Sequence, residues 1–438
     1  MLESPAFWMV PALFALVFLG VPVAFSLIVV AFAFGYPFFG DNLGLQFFGR
    51  LHSVATNYIL SAVPLFILMG TILERSGIAE RLFVAMQQWV GRFPGGLAVA
   101  AIAMCAVFAA ATGIVGAVET VIGMMAIPPM LKYRYEPGLI AGTICSGGSL
   151  GTIIPPTLVV VIYASIVEAP IGDLMAGIVI PGLLMVTFFL IYIIGRCMLR
   201  PQDGPPLSPK ELDRPLVEKL KLTASAMVPA ILLIAGVLGS ILAGIASPTE
   251  AAGVGALGGI LLTIAYGKMS VRLMREVLHN TLVINTMIMF VVLGGTMFTA
   301  VFVVNGGNAM VSDLIRSADL GVAGVTTVFL AIVFALGFIL DWVSIVLICM
   351  PIFAPIVKQM GIDTLWFGVM VCIVIQTSYL TPPMAPAIFY LRSIAPPEIT
   401  YQHMFRGVIP FIICELLVLA VVAIFPEAAT WLPKLIFG

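Results

Sequence analysis

Charge is what this chain has least of. Only 9% of its 438 residues are Asp, Glu, Lys or Arg, against 61% hydrophobic, and mean hydropathy is +1.17. Soluble domains carry roughly 25% charged residues, so a water-soluble fold is excluded. The formal net charge is -1, which removes nucleic acid as a partner. Histidine is nearly absent. His52, His279 and His403 lie at the ends of apolar runs without metal-ligand spacing. No His-Glu-x-x-His, Gly-x-Ser-x-Gly or paired-Asp motif interrupts those runs, so an intramembrane enzyme lacks its signatures and the chain is not an enzyme. The six cysteines (Cys105, Cys145, Cys197, Cys349, Cys372, Cys414) stand singly, without Cys-x-x-Cys pairs, and read as small buried hydrophobes. A basic leader is missing too. The first apolar run, Phe7 to Phe34, follows Glu3 and is too long for a signal segment, so it reads as one retained span.

Long apolar runs are abundant. Stretches of about 20 apolar residues recur along the chain, the length that crosses a bilayer core as a helix, and the expectation is an all-α polytopic protein embedded in lipid. Spans are expected at 7–34, 56–74, 173–199, 223–245, 249–266, 284–303 and 403–425. Two amphipathic arms are expected in the membrane interface. In the first, 76–92, Ile78, Leu82, Ala85, Met86 and Trp89 share a face; in the second, 269–282, Arg272, Arg275, Glu276 and His279 do. Two further runs, 97–131 and 323–358, are interrupted at small or polar residues, near Ala110 to Gly116 and near Gly337 to Trp342. Each arm of such a run is about 15 residues, short for a crossing, which favours re-entrant hairpins.

The most informative stretches are two helices expected to be discontinuous, 138–168 and 364–394. The first is broken at Ser146-Gly147-Gly148-Ser149-Leu150-Gly151-Thr152-Ile153-Ile154-Pro155-Pro156-Thr157 and the second at Gln376-Thr377-Ser378-Tyr379-Leu380-Thr381-Pro382-Pro383-Met384-Ala385-Pro386. Non-helical backbone at membrane depth survives only where protein or a polar cavity satisfies it. Pro155, Pro156 and Tyr163 match Pro382, Pro383 and Tyr390 at a shift of 227 residues, as Pro128 matches Pro355, while Met175 and Pro181 match Met404 and Pro410 at a shift of 229. The chain is therefore an internal repeat: a first half over 1–200, a polar Pro-rich cytoplasmic linker over 201–222, and a second half over 223–438.

If the hairpins do not cross, an odd number of crossings separates span 56–74 from its counterpart 284–303, so the repeats are inverted. Charge supports the count. From a cytoplasmic N-terminus, one side receives 16 of the 20 basic residues, including Arg75, Arg196, Lys210, Arg214 and Arg392, and the other only Arg50, Arg316, Lys358 and Lys434. This bias places the richer side in the cytoplasm and the C-terminus in the periplasm.

Inverted repeats with discontinuous helices at the midplane are the architecture of secondary transporters, in which freed carbonyls and helix ends hold coupling cations and anionic substrates. Hydroxyls of Ser146, Ser149, Thr152, Thr377, Ser378 and Thr381 supply hard oxygens of the kind Na⁺ accepts, and Gly147, Gly148 and Gly151 permit the backbone turn. The hairpin tips, Thr112-Gly113 and Asp341 to Ser344, are expected against the two breaks. Asp341 reads equally as a cation ligand or helix cap and as a packing residue; Glu119 reads as a cavity acid or a buried structural one. Ser247-Pro248-Thr249-Glu250 reads as a capping box.

Several segments together resemble the large membrane subunit of tripartite ATP-independent periplasmic (TRAP) transporters, and the resemblance spans essentially the whole chain. They are Pro64-Leu65-Phe66 with Gly70, Ile127-Pro128-Pro129-Met130, Gly148 to Thr157, Ser247-Pro248-Thr249-Glu250-Ala251-Ala252, and Thr381-Pro382-Pro383 with Pro386. The resemblance implies Na⁺-coupled import of an organic acid across the bacterial inner membrane by an elevator movement. It also implies two partners: a small membrane subunit of four helices, expected as a separate polypeptide, and a periplasmic substrate-binding protein. It puts cation sites at Thr112 and Gly113 with Ser146 to Thr152, and at Asp341 to Ser344 with Gln376 to Thr381. The substrate cavity is expected to draw on Thr112, Glu119, Ser149, Pro155, Pro156, Thr377, Pro382 and Pro383. The first tip departs from the Ser-rich form of many members and resembles a branch associated with keto acids and other carboxylates. The competing reading is a binding-protein-independent Na⁺- or H⁺-coupled carboxylate carrier, against which the lack of a paired Ser-Asn-Thr motif speaks.

Overall fold

The computed structural model describes residues 4–113, 115–208, 215–317, 320–382 and 385–438. Among them the regular structure is helical throughout, and seven helical stretches are long and apolar enough to cross a membrane. The order is α1 (Pro5–Phe18), α2 (Val23–Phe39), α3 (Leu43–Ala55), α4 (Ala62–Arg75), α5 (Ile78–Val90), α6 (Gly96–Thr112), α7 (Val115–Lys132), α8 (Pro137–Ser149), α9 (Leu158–Val167), α10 (Ile171–Gly177) and α11 (Val179–Leu199). The second half continues with α12 (Leu216–Leu242), α13 (Pro248–Ala265), α14 (Val271–Val304), α15 (Gly307–Ser317), α16 (Val322–Leu336), α17 (Trp342–Gln359), α18 (Thr364–Leu380), α19 (Pro386–Ile394), α20 (Tyr401–Ile424) and α21 (Glu427–Phe437).

Helix starts follow from local chemistry. Glu136 caps α8, its carboxylate accepting the Leu139 N–H at 2.6 Å with Pro137 at the first helical position. Asp363 caps α18 through the Leu365 N–H at 2.8 Å. Ser247 and Glu250 close the expected capping box at the start of α13. Such caps satisfy amides that helix geometry leaves without partners.

The duplication is visible element by element. Hairpin α6–α7 and broken helix α8–α9 recur as α16–α17 and α18–α19. Left-handed residues recur as well. Gly20 pairs with Gly244, Gly40 with Gly267, Gly77 with Gly306, and Arg134 with Gly361, all at positive φ and each pair about one repeat apart.

Four expectations shift. The single span 7–34 is two helices, because left-handed Gly20 (φ 86°) and Pro22 end α1 and restart the chain at α2. By repeat position α1 and α2 match α12 and α13. The second arm, 269–282, is the beginning of the continuous 34-residue helix α14; nothing in Leu282 to Ile284 breaks a helix. The counterpart of arm α5 is instead α15, and 269–282 corresponds to α3. Arm α5 itself leaves α4 at 61° and buries Ile78, Leu82 and Ala85, while Trp89 turns outward to donate to Thr223 Oγ1 at 2.8 Å. Helix α21, packed on α10, was not anticipated.

The fourth shift concerns the breaks. Ser146 to Ser149 remain helical and Leu150–Thr152 form a 3₁₀ turn, so the first interruption runs from Leu150 to Thr157. Gln376 to Leu380 remain helical, and the second interruption begins at Thr381; Pro383 and Met384 lie outside the described residues. Gly147 and Gly148 serve packing rather than bending: Cys105 crowds the first, and a side chain on the second would meet Glu119 Cβ at 2.7 Å.

Tight glycine contacts bind α8 to α20, whose backbones touch at Gly142 and Gly407. Elsewhere α4 packs on α13, α2 on α14, α7 on α19, and α17 on α9. Residues 201–208 are anchored, not loose. Gly95 N–H donates to Gly204 O at 2.7 Å, Leu207 N–H to Gly91 O at 2.9 Å, and Arg196 holds Asp203 (2.9 Å) and Glu136 (3.0 Å).

Candidate functional site

Each hairpin tip meets its own broken helix. Thr112 ends α6, and Gly113 follows in the left-handed region (φ 62°), where a Cβ would stand 2.9 Å from Pro156 O. In the second half, an added Cβ at Gly337 would fall on the Ser378 hydroxyl. Asp341 is the N-cap of α17. Its carboxylate accepts the Val343 N–H (3.1 Å), the Ser344 N–H (3.3 Å) and a short bond from the Ser344 hydroxyl. The carboxyl is therefore fixed at the tip, with Asp341 itself exposed.

The hydroxyls at the breaks share one arrangement. Ser146 Oγ donates to Gly142 O (2.6 Å), Ser149 Oγ to Ser146 O (2.8 Å), Thr152 Oγ1 to Ser149 O (2.8 Å) and Thr112 Oγ1 to Phe108 O (2.9 Å). In the second half Thr377 Oγ1 donates to Ile373 O (2.9 Å), Ser378 Oγ to Ile375 O (2.8 Å) and Thr381 Oγ1 to Thr377 O (2.7 Å). Each proton goes to the preceding turn, that of Ser149 being shared with Glu415 Oε1 at 3.3 Å, so what the oxygens chiefly have left is lone pairs. This donor set suits a hard monovalent cation.

The tips and breaks converge on one cavity of about 430 Å³. Its wall takes Gly113 and Gly116 from the first tip, Thr152 and Val159 from the first broken helix, Gly337 and Asp341 from the second tip, and Ser378 and Pro386 from the second. Glu74 and Ile288 of α4 and α14 close it. Of the expected site residues, Gly113, Thr152, Asp341 and Ser378 reach this wall. Thr112, Glu119, Ser146 to Ser149, Gly151, Pro155, Pro156, Ser344, Gln376, Thr377, Thr381 and Pro382 do not, and Pro383 is not described. Thr120, Trp342, Tyr379 and Tyr390 do reach it and were missed. Tyr390 carried a signal, since the repeat pairs it with Tyr163. That partner is buried and donates to Thr364 O at 3.0 Å, whereas Tyr390 stands against Gly116 with half of its surface open.

Glu119 is fully buried on α7 beside Gly148. The Cys145 thiol and Tyr379 hydroxyl face its carboxyl, yet neither closes a hydrogen bond, and both carboxyl oxygens and the Tyr379 hydroxyl are unpartnered.

Among the described lining residues there are two carboxylates, Glu74 and Asp341, and no Lys or Arg. An anionic solute in this cavity must be balanced by helix N-termini, by hydroxyl donors or by a cation bound with it.

Residues 10–428 match the family described as tripartite ATP-independent periplasmic transporter, DctM component. The chain is 29% identical over 426 residues to the sialic acid TRAP transporter large permease protein SiaM of Vibrio cholerae, covering 97% of each. It is 29% identical to the C4-dicarboxylate TRAP transporter large permease protein DctM of the same organism, over 96% of this chain and 95% of that protein. It is 26% identical to the ectoine TRAP transporter large permease protein TeaC of Halomonas elongata, over 98% and 99%. The solved Alcanivorax borkumensis YdaH transporter, described as having an unusual topology, superposes with a TM-score of 0.66 over 98% of this chain and all of that one. At 14% identity it bears on the fold alone. With a family match across nearly its whole length, this chain belongs to the DctM family, the large permease subunits of TRAP transporters.

Proposed function

We propose that this permease imports an organic acid across the bacterial inner membrane, coupled to Na⁺, with the hairpins and broken helices moving as a body against α2, α4, α13 and α14. One observation carries the reading: a single cavity draws most of its wall from both tips and both broken helices, so a shift of that body carries this wall past Glu74 and Ile288. Thr112, Gly113 and the carbonyl end of α8 would hold a cation at the first tip, and Asp341, Ser344 and the carbonyl end of α18 one at the second. A bound cation supplies positive charge to a cavity that has no basic side chain among its described residues. The family description and the relatives' names support a tripartite assembly with a small membrane subunit and a periplasmic binding protein; we propose that the small subunit has four helices and that the binding protein delivers the solute.

The charge distribution supports a cytoplasmic position for residues 201–208 and a periplasmic C-terminus. Because α1 and α2 correspond to α12 and α13, we read both as crossings, which moves the N-terminus to the periplasm. Proteoliposomes holding the permease, the small subunit and the binding protein will accumulate solute under an inward Na⁺ gradient. Equal uptake after replacing Na⁺ with choline sinks the proposal.

A further inference from the structure

We propose a Na⁺ site apart from the two tips, where the broken helices cross, formed by Glu415, Gln376, Ser149 and Thr377. Ser149 and Gln376 occupy equivalent places in the two repeats, 227 residues apart, and they touch each other: Gln376 Nε2 donates to Ser149 Oγ at 3.1 Å. The pair therefore marks where the two halves meet. Glu415 enters from α20, the helix locked to α8 at Gly142 and Gly407, and its Oε1 lies 3.3 Å from Ser149 Oγ. The Gln376 amide and the Thr377 hydroxyl also face the carboxyl. All four residues are buried without measurable exposure.

Counting protons shows what this cluster lacks. The one Ser149 proton is shared between Ser146 O at 2.8 Å and Glu415 Oε1 at 3.3 Å, and the Thr377 proton goes to Ile373 O at 2.9 Å. Neither hydroxyl has a second proton to give to Glu415 Oε2. Gln376 Oε1 and Glu415 Oε2 are buried with no hydrogen-bond partner. Reversing the Gln376 amide changes which oxygen is short of a proton, not how many protons there are. Among the described residues no Lys, Arg or His pairs with Glu415. A dry carboxylate with one oxygen unpaired, beside an amide oxygen that is also unpaired, is costly unless a positive charge joins it. Carboxylate, amide and hydroxyl oxygens are hard ligands that favour an alkali cation over a softer metal. Seated on α8, α18 and α20 together, such an ion would tie the two broken helices into one body.

The test uses the purified complex, with Na⁺ exchanged for choline at constant ionic strength. It reads bound ²²Na⁺ per permease and the thermal midpoint. Glu415→Gln keeps the shape and supplies two N–H donors. It is expected to bind one fewer Na⁺, to melt above the parent in choline, and to lose part of the Na⁺-induced rise. Glu415→Asp keeps the charge but retracts it, and is expected to keep the ion with a half-saturating concentration about tenfold higher, or 1.4 kcal/mol weaker. This second variant preserves the test should the first fail to fold. Unchanged Na⁺ count and half-saturation in both variants overturns the site. So does a Glu415→Gln protein that keeps every Na⁺ and changes only in its response to pH, since the carboxyl would then hold a proton. A parent complex that binds no Na⁺ refutes Na⁺ coupling altogether, whereas equal binding by parent and variants refutes this site alone.

Discussion

The seat of the first hairpin tip can be tested with one methyl group. Gly113 has φ 62°, and an added Cβ would lie 2.9 Å from Pro156 O, a backbone atom that cannot rotate away. Gly113→Ala therefore carries two penalties. Holding alanine in the left-handed region costs about 1–2 kcal/mol, and relieving the contact requires the tip or the break to retreat by a few tenths of an ångström. The first penalty can be isolated, because Gly77 is also left-handed (φ 77°, ψ 8°) and an added Cβ there would meet only Lys268 Cε at an ordinary 3.6 Å. Gly77→Ala should lower the thermal midpoint by about 2 °C or less and leave the Na⁺ dependence of transport unchanged. Gly113→Ala should show a similar loss of stability together with at least a fivefold rise in the Na⁺ concentration for half-maximal uptake, about 1 kcal/mol at the site. The assay is initial uptake into proteoliposomes across a Na⁺ series, with both variants reconstituted beside the parent. If both behave alike, with unaltered Na⁺ dependence, the tip does not seat on the break and the cation reading of the first tip is wrong.

Topology is open to a labelling experiment, since all six native cysteines are buried and give little background. Cysteines placed at Ser4 and Phe437 should react with an impermeant maleimide from the periplasm and one at Ser208 should not; the reverse pattern refutes the inverted count, and protection at position 4 alone refutes the crossing assigned to α1. Arg196 bridges Glu136 and Asp203 and so fastens residues 201–208 to the start of the first broken helix. Arg196→Ala leaves two carboxylates without their cation, and should cost about 2–3 kcal/mol and open that segment to protease added at the cytoplasmic face. Resistance equal to the parent's would show that the backbone bonds from Gly95 and Leu207 suffice.

What the sequence disclosed and what it hid divide along physical lines. Hairpins and broken helices were legible because lipid leaves few ways to interrupt a helix, so Gly-Gly-Ser, Pro-Pro and a lone Asp inside apolar runs stand out. The limits of each break were not legible. Gly147 and Gly148 look like the break itself, yet they are helical and small because Cys105 and Glu119 lean on them. Glycine in a sequence marks either a turn or a close approach, and only the neighbours distinguish the two. The same ambiguity hid the division between α1 and α2, where Gly20 and Pro22 punctuate a run whose hydropathy never falls. The cavity was harder still. Tyr390 sits in an apolar stretch where an aromatic residue is unremarkable, Tyr379 among hydroxyls that read as the ligands themselves, and only the folded structure sets both against the cavity.

Glu415 escaped notice for a related reason: one acid in the long apolar span 403–425 has no motif around it. Its meaning lies in Ser149 and Gln376, residues 266 and 39 positions away in the chain, the first 3.3 Å from it in space. The repeat relates Ser149 to Gln376, so the sequence already held two members of this cluster. The third breaks the symmetry, since the position one repeat earlier, Val186, is apolar. A duplicated fold builds its matched features twice. A charge present in one half alone marks where the two halves no longer do the same work, and in this chain that charge sits at the contact between them.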